Sequence, residues 1–246
     1  MEIADGEVVG VVGGNDAGKS TLCLVLSGLA PRVIGGTMHG ELSIDGTDMT
    51  DVPMHAMTAH VGVVFDDPAA QLSGVTTTVF EEVAFGPANL GVPRQELLER
   101  TERALESLGI ADLGPRDPAR LSGGQQQLVA VASILALRPR HIILDEPTAQ
   151  LDPHGTELVG SAIAGLRREG IAVLVVEHKT DLLVEVADRV LVLDDGEVSL
   201  SGSAEEILGH PGLVELGVAP PSLVALRRRL TEAGVDISGL PSVAPR

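Results

Sequence analysis

Residues 13 to 20 combine glycines, a lysine and a serine at a spacing suited to holding phosphate groups. They read Gly-Gly-Asn-Asp-Ala-Gly-Lys-Ser and fit the pattern G-x-x-x-x-G-K-S/T. At the start of a helix, the backbone N–H groups of Gly14 to Lys19 can point at anionic oxygens, and the Lys19 ammonium adds a charge for the β- and γ-phosphates. The Ser20 hydroxyl can ligate Mg²⁺. The segment therefore predicts a site for nucleotide phosphates and Mg²⁺.

Two acidic residues follow an apolar segment further along the chain. Asp145 and Glu146 come directly after Ile142 to Leu144, so Asp145 is expected at the carboxyl end of a buried strand, where ligands bind in parallel sheets. A carboxylate there can hold Mg²⁺ directly or through water, and Glu146 can act as general base on an attacking water. Two solvated acids that merely end a strand are the alternative, and the phosphate loop on the same chain favours the catalytic interpretation.

A third segment, Leu121-Ser122-Gly123-Gly124-Gln125, is suited to opening a helix. Ser122 is a natural N-cap, and the two glycines leave backbone N–H groups accessible to an anion. An ordinary capped helix is the alternative interpretation. The segment thus predicts a helix start that can serve as a second anion site.

The elements that must position these groups follow from the hydrophobic pattern. Strands are predicted at residues 7–12, 40–45, 60–65, 141–144, 171–176, 190–193 and 197–200, the last two forming a hairpin. Helices are predicted at residues 19–29, 96–108, 125–137, 155–168 and 180–188. Strands that alternate with helices indicate an α/β fold with a mainly parallel sheet and helices on both faces.

Two regions carry helix-breaking residues. From Val79 to about Leu108 the helical spacing is expected to be interrupted at Gly86-Pro87 and again at residues 91–93. The segment from about residue 209 contains several prolines, including Pro241, and one short basic helix at Leu223 to Leu230. We interpret residues 209–246 as a small C-terminal appendage.

Composition limits the possible function classes. The 246 residues carry a net charge of -18 and 44% hydrophobic residues, which favours a packed core and argues against a nucleic-acid partner. The single cysteine, Cys23, excludes an intrachain disulfide. No apolar run reaches the length of a membrane span, and the N-terminus does not look like a signal peptide. We expect a cytoplasmic protein whose membrane role, if any, comes through a partner.

These motifs resemble those of the ATP-binding cassette (ABC) family over residues 1–208. Residues 13–20 resemble its Walker A loop, residues 121–125 its signature motif, residues 142–146 its Walker B strand, residues 149–152 its D-loop, and His178 its switch histidine. The resemblance implies a P-loop NTPase, RecA-like core, a helical signature subdomain at about residues 68–138 and a truncated antiparallel β subdomain.

The resemblance also implies roles for individual residues. ATP is expected to bind between the Walker A loop of one cassette and the signature motif of a second ABC ATPase subunit, paired head to tail. Glu146 and His178 are expected to be catalytic, with Ser20, Asp145 and Asp66 at Mg²⁺. The expected nucleotide-binding residues are Gly13, Gly14, Asn15, Asp16, Ala17, Gly18, Lys19, Ser20, Thr21, Ser122, Gly123, Gly124, Gln125 and Asp152. The other histidines are interpreted as structural or surface residues, and Cys23 is interpreted as a packing residue.

Within that family the chain is most similar to ATPases of energy-coupling factor transporters. The similarity lies in residues 65–72, residues 83–90, the three consecutive glutamines at 125–127, residues 148–153 and the tail around residues 223–237. It implies a transmembrane coupling subunit and a substrate-binding membrane subunit as partners, a vitamin or a transition-metal ion as cargo, and a location on the cytoplasmic face of the membrane.

Three departures from the family pattern leave alternatives open. Asp66 stands where the family usually has a glutamine that touches Mg²⁺ and the lytic water, and Asp16 stands where glycine is frequent. Both add negative charge near the phosphates. No aromatic residue precedes the Walker A loop to stack on adenine, so the N-terminus is interpreted as truncated or misplaced. A weakly hydrolysing partner subunit and a soluble, non-transport ABC ATPase are the alternatives.

Overall fold

A computed structural model describes residues 1–236 and contains a six-stranded sheet. The strands in the described part are β1 (Val8–Gly13), β2 (Ser43–Ile44), β3 (Thr47–Asp48), β4 (Val61–Val64), β5 (His141–Asp145), β6 (Ala172–Val176), β7 (Arg189–Asp194) and β8 (Glu197–Ser203). The order in the large sheet is β4-β5-β6-β1-β7-β8. Neighbouring strands from β4 to β7 pair in parallel, and only the edge pair β7–β8 is antiparallel. The mainly parallel sheet predicted from the sequence is confirmed.

Helices connect these strands. In residues 1–236 they are α1 (Lys19–Leu26), α2 (Met54–Met57), α3 (Pro68–Gln71), α4 (Val79–Asn89), α5 (Arg94–Ser107), α6 (Gly123–Leu137), α7 (Pro153–Arg168), α8 (Thr180–Val186), α9 (Ala204–Leu208) and α10 (Ser222–Glu232). Short 3₁₀ segments lie at Ala111–Leu113, Pro118–Arg120 and Pro211–Leu213. In the described chain, no helix combines the length and the apolar character needed to cross a membrane.

The strands from β4 to β7 in the sheet order are largely buried on both faces, which explains why they read as apolar runs, whereas the edge strand β8 is mostly exposed. Successive residues of a strand point to opposite faces. Val8 and Val12 therefore join a core cluster with helices α4 to α9, whereas Val9 and Val11 join a second cluster with Cys23 of α1. Every residue of β1 is buried. The phosphate loop that follows β1 is thus anchored to the centre of the molecule.

The predicted break at Gly86-Pro87 is wrong, because α4 runs through Pro87 to Asn89. A proline inside a helix costs roughly 3 kcal/mol, but Val79, Val83 and Pro87 are buried on one side of this helix. A Cβ at Gly86 would lie 2.8 Å from Leu137 Cδ2, so α4 and α6 approach closely there. Tertiary packing therefore outweighs the local preference, and the chain breaks only after Asn89.

The first hairpin is shorter than predicted. In place of a strand at residues 40–45, β2 covers Ser43–Ile44 and pairs with β3 across the turn at Asp45-Gly46. Gly40, with φ 103°, lies outside the strand conformation. The pair β2–β3 forms a separate two-stranded sheet, and Ile44 packs against the core cluster that contains Cys23.

The segment after residue 208 packs onto the rest of the chain. Leu213 and Val218 are buried in the main core cluster. A Cβ at Gly217 would lie 3.0 Å from Gly14 Cα, so this segment supports the back of the phosphate loop. The domain boundary at residue 208 stays a prediction, and residues 237–246, which include Pro241, lie outside the described part.

Hydrogen bonds tie the same segment to α8. The Thr180 hydroxyl donates to the Ala219 carbonyl (2.9 Å). The backbone N–H and the hydroxyl of Ser222, at the start of α10, donate to the two carboxylate oxygens of Asp181 at 2.8 and 2.7 Å. The basic helix predicted at Leu223 to Leu230 is present as α10.

Candidate functional site

The phosphate loop joins β1 to α1 through glycine geometry. Gly18 has φ 96°, a conformation that favours glycine, and Lys19 begins the helix. The Lys19 side chain is buried, and Nζ donates to the carbonyls of Gly13 (3.0 Å) and Gly14 (2.8 Å). An ammonium group carries three N–H donors, so one remains for an anionic oxygen. The loop therefore holds the Lys19 ammonium in place at the start of α1.

The remaining predicted residues of the loop divide into buried and exposed groups. Ala17 is buried, and its carbonyl accepts a hydrogen bond from Gly196 N (3.1 Å), which fixes the loop to the β7–β8 hairpin. Asn15, Asp16 and Thr21 are exposed to solvent. Asp16 has φ 60°, a left-handed conformation that aspartate tolerates better than most residues, so the loop closes without glycine there.

Asp145 ends β5 beside this loop and carries an unpaired oxygen. It is 3% exposed, and among the described residues its Oδ1 is one of three buried side-chain atoms without a hydrogen-bond partner. Burial raises the pKa of this carboxyl, and the negative charges of Asp66 and Glu146 raise it further, while the Ser20 hydroxyl and the Lys19 charge act in the opposite direction. An unpaired buried carboxylate oxygen is costly unless a ligand completes it.

The donors around Asp145 fit a magnesium ion. Asp145 and Ser20 contact each other, and Asp66 is close enough to perturb Asp145. In residues 1–236, no group of three or more His, Cys, Asp or Glu side chains is arranged to hold a metal ion. Mg²⁺ is usually bound by one or two carboxylates together with waters and phosphate oxygens. The site therefore suits a metal that arrives with a nucleotide.

Two acids, Asp66 and Asp67, follow β4, and Asp67 caps α3 by accepting from Ala69 N and Ala70 N. The Gln71 amide accepts a hydrogen bond from Phe65 N (3.0 Å) and donates to the Val63 carbonyl (2.8 Å). Gln71 thereby holds the end of α3 against β4. Asp66 itself is exposed.

Glu146 and His178, which lie 32 positions apart in the sequence, meet at the site. The distance from His178 Nε2 to Glu146 Oε1 is 3.0 Å, and both side chains are partly exposed, at 45% and 29%. Glu146 adopts φ 49°, and its N–H donates to the Val176 carbonyl (2.9 Å). A non-glycine residue with positive φ at such a position is strained and needs support from its surroundings. The pair faces solvent, where a water molecule can approach.

Sequence reasoning missed Glu177 and Lys179 on either side of His178. The Glu177 carboxylate is 2% exposed and accepts hydrogen bonds from Thr148, His178 and Lys179. The Lys179 ammonium donates to the carbonyls of Thr148 (2.6 Å) and Leu151 (3.3 Å). Two signals were present: an acid directly after a buried strand, and one of the only two lysines in the chain.

The signature segment opens α6 with a capping box. Ser122 Oγ accepts from Gln125 N (3.3 Å), and Gln125 Oε1 accepts from Ser122 N (3.1 Å). A Cβ at Gly123 would lie 2.3 Å from Gln150 Oε1, and one at Gly124 would lie 3.1 Å from the Gln150 carbonyl. The Gln150 side chain is exposed and can move away from position 123, whereas the contact at Gly124 is with backbone, so close packing constrains Gly124 more than Gly123. Contact of this segment with a nucleotide stays a prediction.

Other predicted residues take part in local structure. Asp152 caps α7 by accepting from Gly155 N (2.7 Å), and its contact with nucleotide stays a prediction. His141 contacts Asp45 (3.2 Å), and His210 accepts from Gly212 N (3.1 Å). Cys23 is fully buried, and burial raises the pKa of its thiol. These histidines and Cys23 have the structural surroundings expected from the sequence.

Comparison with known proteins extends these observations. The family model of the ABC transporter matches residues 1–149. A Pyrococcus horikoshii protein named as an ABC transporter ATP-binding protein is 40% identical over 96% of this chain and 83% of its own length. The cobalt import ATP-binding protein CbiO of Syntrophus aciditrophicus is 39% identical over 96% of this chain and 82% of its own length.

Two solved structures share the fold. The cbiO1 structure from Clostridium perfringens, part of the ABC transporter complex cbiONQ, superposes with a TM-score of 0.77 at 30% identity, covering 95% of this chain and 88% of that one. A dimeric ATP-binding cassette in a post-hydrolysis state, bound to ADP and Pi, superposes with a TM-score of 0.72 at 27% identity, covering 83% and 88%.

Proposed function

This chain belongs to the ABC transporter family of ATP-hydrolysing proteins, and we propose that it powers a membrane importer of the energy-coupling factor type. The ATP-hydrolysis part of the proposal rests on the contact of Glu146 with His178 (3.0 Å) beside the unpaired oxygen of Asp145. The importer part rests on the similarity to the cobalt import protein and to cbiO1. A general base, a polar partner for phosphate and a metal-binding carboxylate then lie next to a phosphate loop.

The residues divide the work of hydrolysis. The phosphate loop binds the triphosphate through backbone N–H groups and the third N–H of Lys19. Ser20 and Asp145 would hold Mg²⁺, which supplies positive charge at the β- and γ-phosphate oxygens when it is bound. Glu146 accepts a proton from the attacking water. The His178 N–H that faces Glu146 Oε1 (3.0 Å) would turn to the γ-phosphate when ATP is bound, since a neutral imidazole has a single N–H to donate.

Completion of the site by a second cassette is part of the proposal. The N-terminal N–H groups of α6, capped by Ser122, would cover a nucleotide that is bound in the phosphate loop of the other subunit. The dimeric, ADP-bound structural neighbour supports this arrangement. Two copies of this chain or one copy and a different ABC ATPase would serve equally in this geometry.

Transport requires membrane partners. We infer that the chain is a peripheral protein on the cytoplasmic face of the membrane, with a transmembrane coupling subunit and a substrate-binding membrane subunit. The names of the similar proteins, a cobalt import protein and part of a cbiONQ complex, support a transition-metal ion over a vitamin as cargo. Co-purification of the tagged chain with an integral membrane protein encoded beside it tests this inference.

The Glu146→Gln substitution tests the hydrolytic proposal. Turnover should fall by about 10²- to 10³-fold because the water loses its base, and ATP with Mg²⁺ should then stabilise a dimer that size-exclusion chromatography with light scattering detects. Glu157→Gln is the matched control, since the Glu157 side chain is 78% exposed on α7. Wild-type turnover that survives Glu146→Gln would contradict the assignment.

A weakly hydrolysing partner subunit is the second candidate. Burial raises the pKa of Asp145, and the charge of Asp66 raises it further, which opposes the ionised form that a metal needs. If the wild-type protein binds ATP but does not hydrolyse it, alone or mixed with a second cassette from the same operon, this candidate replaces the first.

A further inference from the structure

Glu177 is a buried carboxylate whose hydrogen-bonding capacity is filled by donors from two loops. Its Oε1 accepts from Thr148 N (3.1 Å) and Thr148 Oγ1 (2.5 Å). Its Oε2 accepts from the backbone N–H groups of His178 (3.0 Å) and Lys179 (3.1 Å). All four partners donate, which is the pattern that an ionised carboxylate accepts. One side chain thus joins the loop after β5 to the loop after β6.

Lys179 adds a second connection between the same loops. Its Nζ donates to the Thr148 carbonyl at 2.6 Å and to the Leu151 carbonyl at 3.3 Å. Charge-assisted hydrogen bonds of this kind are roughly twice as strong as neutral ones. Glu177 therefore holds the N–H and hydroxyl groups of Thr148, and Lys179 holds the carbonyl groups of Thr148 and Leu151.

The two connected loops carry the catalytic pair. Glu146 lies two residues before Thr148, and His178 directly follows Glu177. Glu146 has the strained φ of 49°, so its position depends on the contacts of the following residues. The 3.0 Å distance between His178 Nε2 and Glu146 Oε1 is set by two backbones that share Glu177 as their common partner.

We propose that Glu177 is a positioning residue for ATP hydrolysis, which holds His178 and Glu146 in register, and that Lys179 extends this hold to residues 148–151. The proposal rests on the proposed function, since the pair it positions is the proposed catalytic pair. Glu177 acts through the two loops, because its carboxylate oxygens accept hydrogen bonds from Thr148, His178 and Lys179.

The Glu177→Gln substitution keeps the size of the side chain but replaces one acceptor oxygen by an amide NH₂. The new NH₂ group then faces either the N–H and hydroxyl of Thr148 or the backbone N–H groups of His178 and Lys179, which are also donors. A displacement of about 1 Å at a catalytic group can cost about 10²-fold in rate, so kcat should fall by roughly 10- to 100-fold. KM for ATP should stay within about threefold, because the Lys19 loop keeps its own hydrogen bonds.

The chain offers a matched control for the loss of a buried carboxylate. Glu82 on α4 is 5% exposed and accepts from Ser73 N (2.6 Å), Ser73 Oγ (2.7 Å) and Thr76 Oγ1 (2.5 Å). Glu82→Gln should reduce thermal stability about as much as Glu177→Gln, but kcat of the purified protein should stay within about twofold. Equal losses of kcat in both variants would overturn the proposal, since they would follow from general destabilisation.

A second pair of variants isolates one donor. Thr148→Val removes the hydroxyl that contacts Glu177 and keeps the shape of the side chain, and Thr148→Ser keeps the hydroxyl. Turnover should fall several-fold in the valine variant and recover in the serine variant, at roughly constant KM. Equal turnover in the two variants would contradict a role for the Thr148–Glu177 contact.

A spectroscopic readout separates this proposal from the proposed function. Long-range ¹H–¹⁵N spectra report the hydrogen bonding of each imidazole, and the signals of His178 are assigned by their loss in His178→Ala. Glu177→Gln should shift these signals in the nucleotide-free protein, and Glu82→Gln should not. Unchanged His178 signals in a folded Glu177→Gln protein would overturn the proposal. Absence of wild-type turnover would count against the proposed function, while the imidazole signals still test the positioning role.

Discussion

Two buried carboxylates end neighbouring parallel strands and have opposite surroundings. Asp145 pairs in register with Val176, so Glu177 lies one residue beyond it on the adjacent strand. The two side chains are 3% and 2% exposed. Asp145 has an oxygen without a partner and a raised pKa, whereas Glu177 accepts four hydrogen bonds from donors of the protein.

The difference shows how the fold assigns unlike tasks to similar groups. Burial of a charge is unfavourable unless hydrogen bonds or an opposite charge compensate it. For Glu177 the compensation comes from within the chain, so this carboxylate stabilises the apo protein. For Asp145 the compensation is incomplete and nearby acids add repulsion, so a bound cation has the most to contribute there.

The largest expected effect comes from Asp145→Asn. Mg²⁺-dependent turnover should fall by about 10³-fold because a charged metal ligand is lost. In EDTA and without nucleotide, the free energy of unfolding should rise by about 1 kcal/mol, since an incompletely compensated buried charge is removed. ATPase assays and urea denaturation measure the two effects. A loss of stability in the nucleotide-free variant would contradict the contrast between the two carboxylates.

Glu177→Gln should shift stability in the opposite direction. Two charge-assisted hydrogen bonds are replaced by unfavourable donor–donor contacts, and the free energy of unfolding should fall by about 2 kcal/mol. For a protein of this size, the corresponding decrease of Tm is roughly 4–8 °C. Calorimetry of the nucleotide-free protein checks it. If Glu177→Gln and Asp145→Asn shift Tm in the same direction, hydrogen bonds from within the chain are not what distinguishes Glu177 from Asp145.

The pH dependence of stability sharpens the comparison. The pKa of Asp145 is raised in the folded state, so the folded protein binds more protons than the unfolded chain between the unfolded value of about 4 and the folded value. The contribution of Asp145 to the free energy of unfolding should therefore fall as pH rises through that window. Urea denaturation of wild type and Asp145→Asn from pH 4 to 7 in EDTA gives the difference between their free energies of unfolding, which isolates the contribution of Asp145. If wild type becomes more stable relative to Asp145→Asn as pH rises, the predicted direction is wrong.

The smallest expected effect is that of Asp66→Gln. Removal of one acid next to Asp145 lowers the pKa of Asp145 and reduces the negative charge near the phosphates. Turnover should rise by roughly three- to tenfold at neutral pH, and less Mg²⁺ should be needed for half-maximal rate. An unchanged rate and Mg²⁺ dependence would show that Asp66 does not limit hydrolysis. Asp16→Gly, whose exposed side chain lies on the phosphate loop, serves as a comparison.

The sequence predicted the parts of the site that depend on local spacing. The phosphate loop, the strand that ends at Asp145 and the Ser122 cap each follow from a few adjacent residues, and the structure contains them. Glu177 was missed because its partner Thr148 lies 29 positions away and becomes a neighbour only through the pairing of β5 with β6. Helix α4 was predicted to break at Pro87 because local propensity contains no information about packing against Leu137.

The segment around Leu216 and Gly217 has a practical consequence. It lies behind Gly14, and the following residues bind Thr180 and Asp181 on the helix just after His178. A stop codon after residue 208 would remove both the residues packed behind the phosphate loop and the hydrogen-bond partners of Thr180 and Asp181 on α8. A shortened variant made for crystallisation, or a fusion at the C-terminal end, should keep this segment. Its loss is expected to lower both thermal stability and ATP turnover.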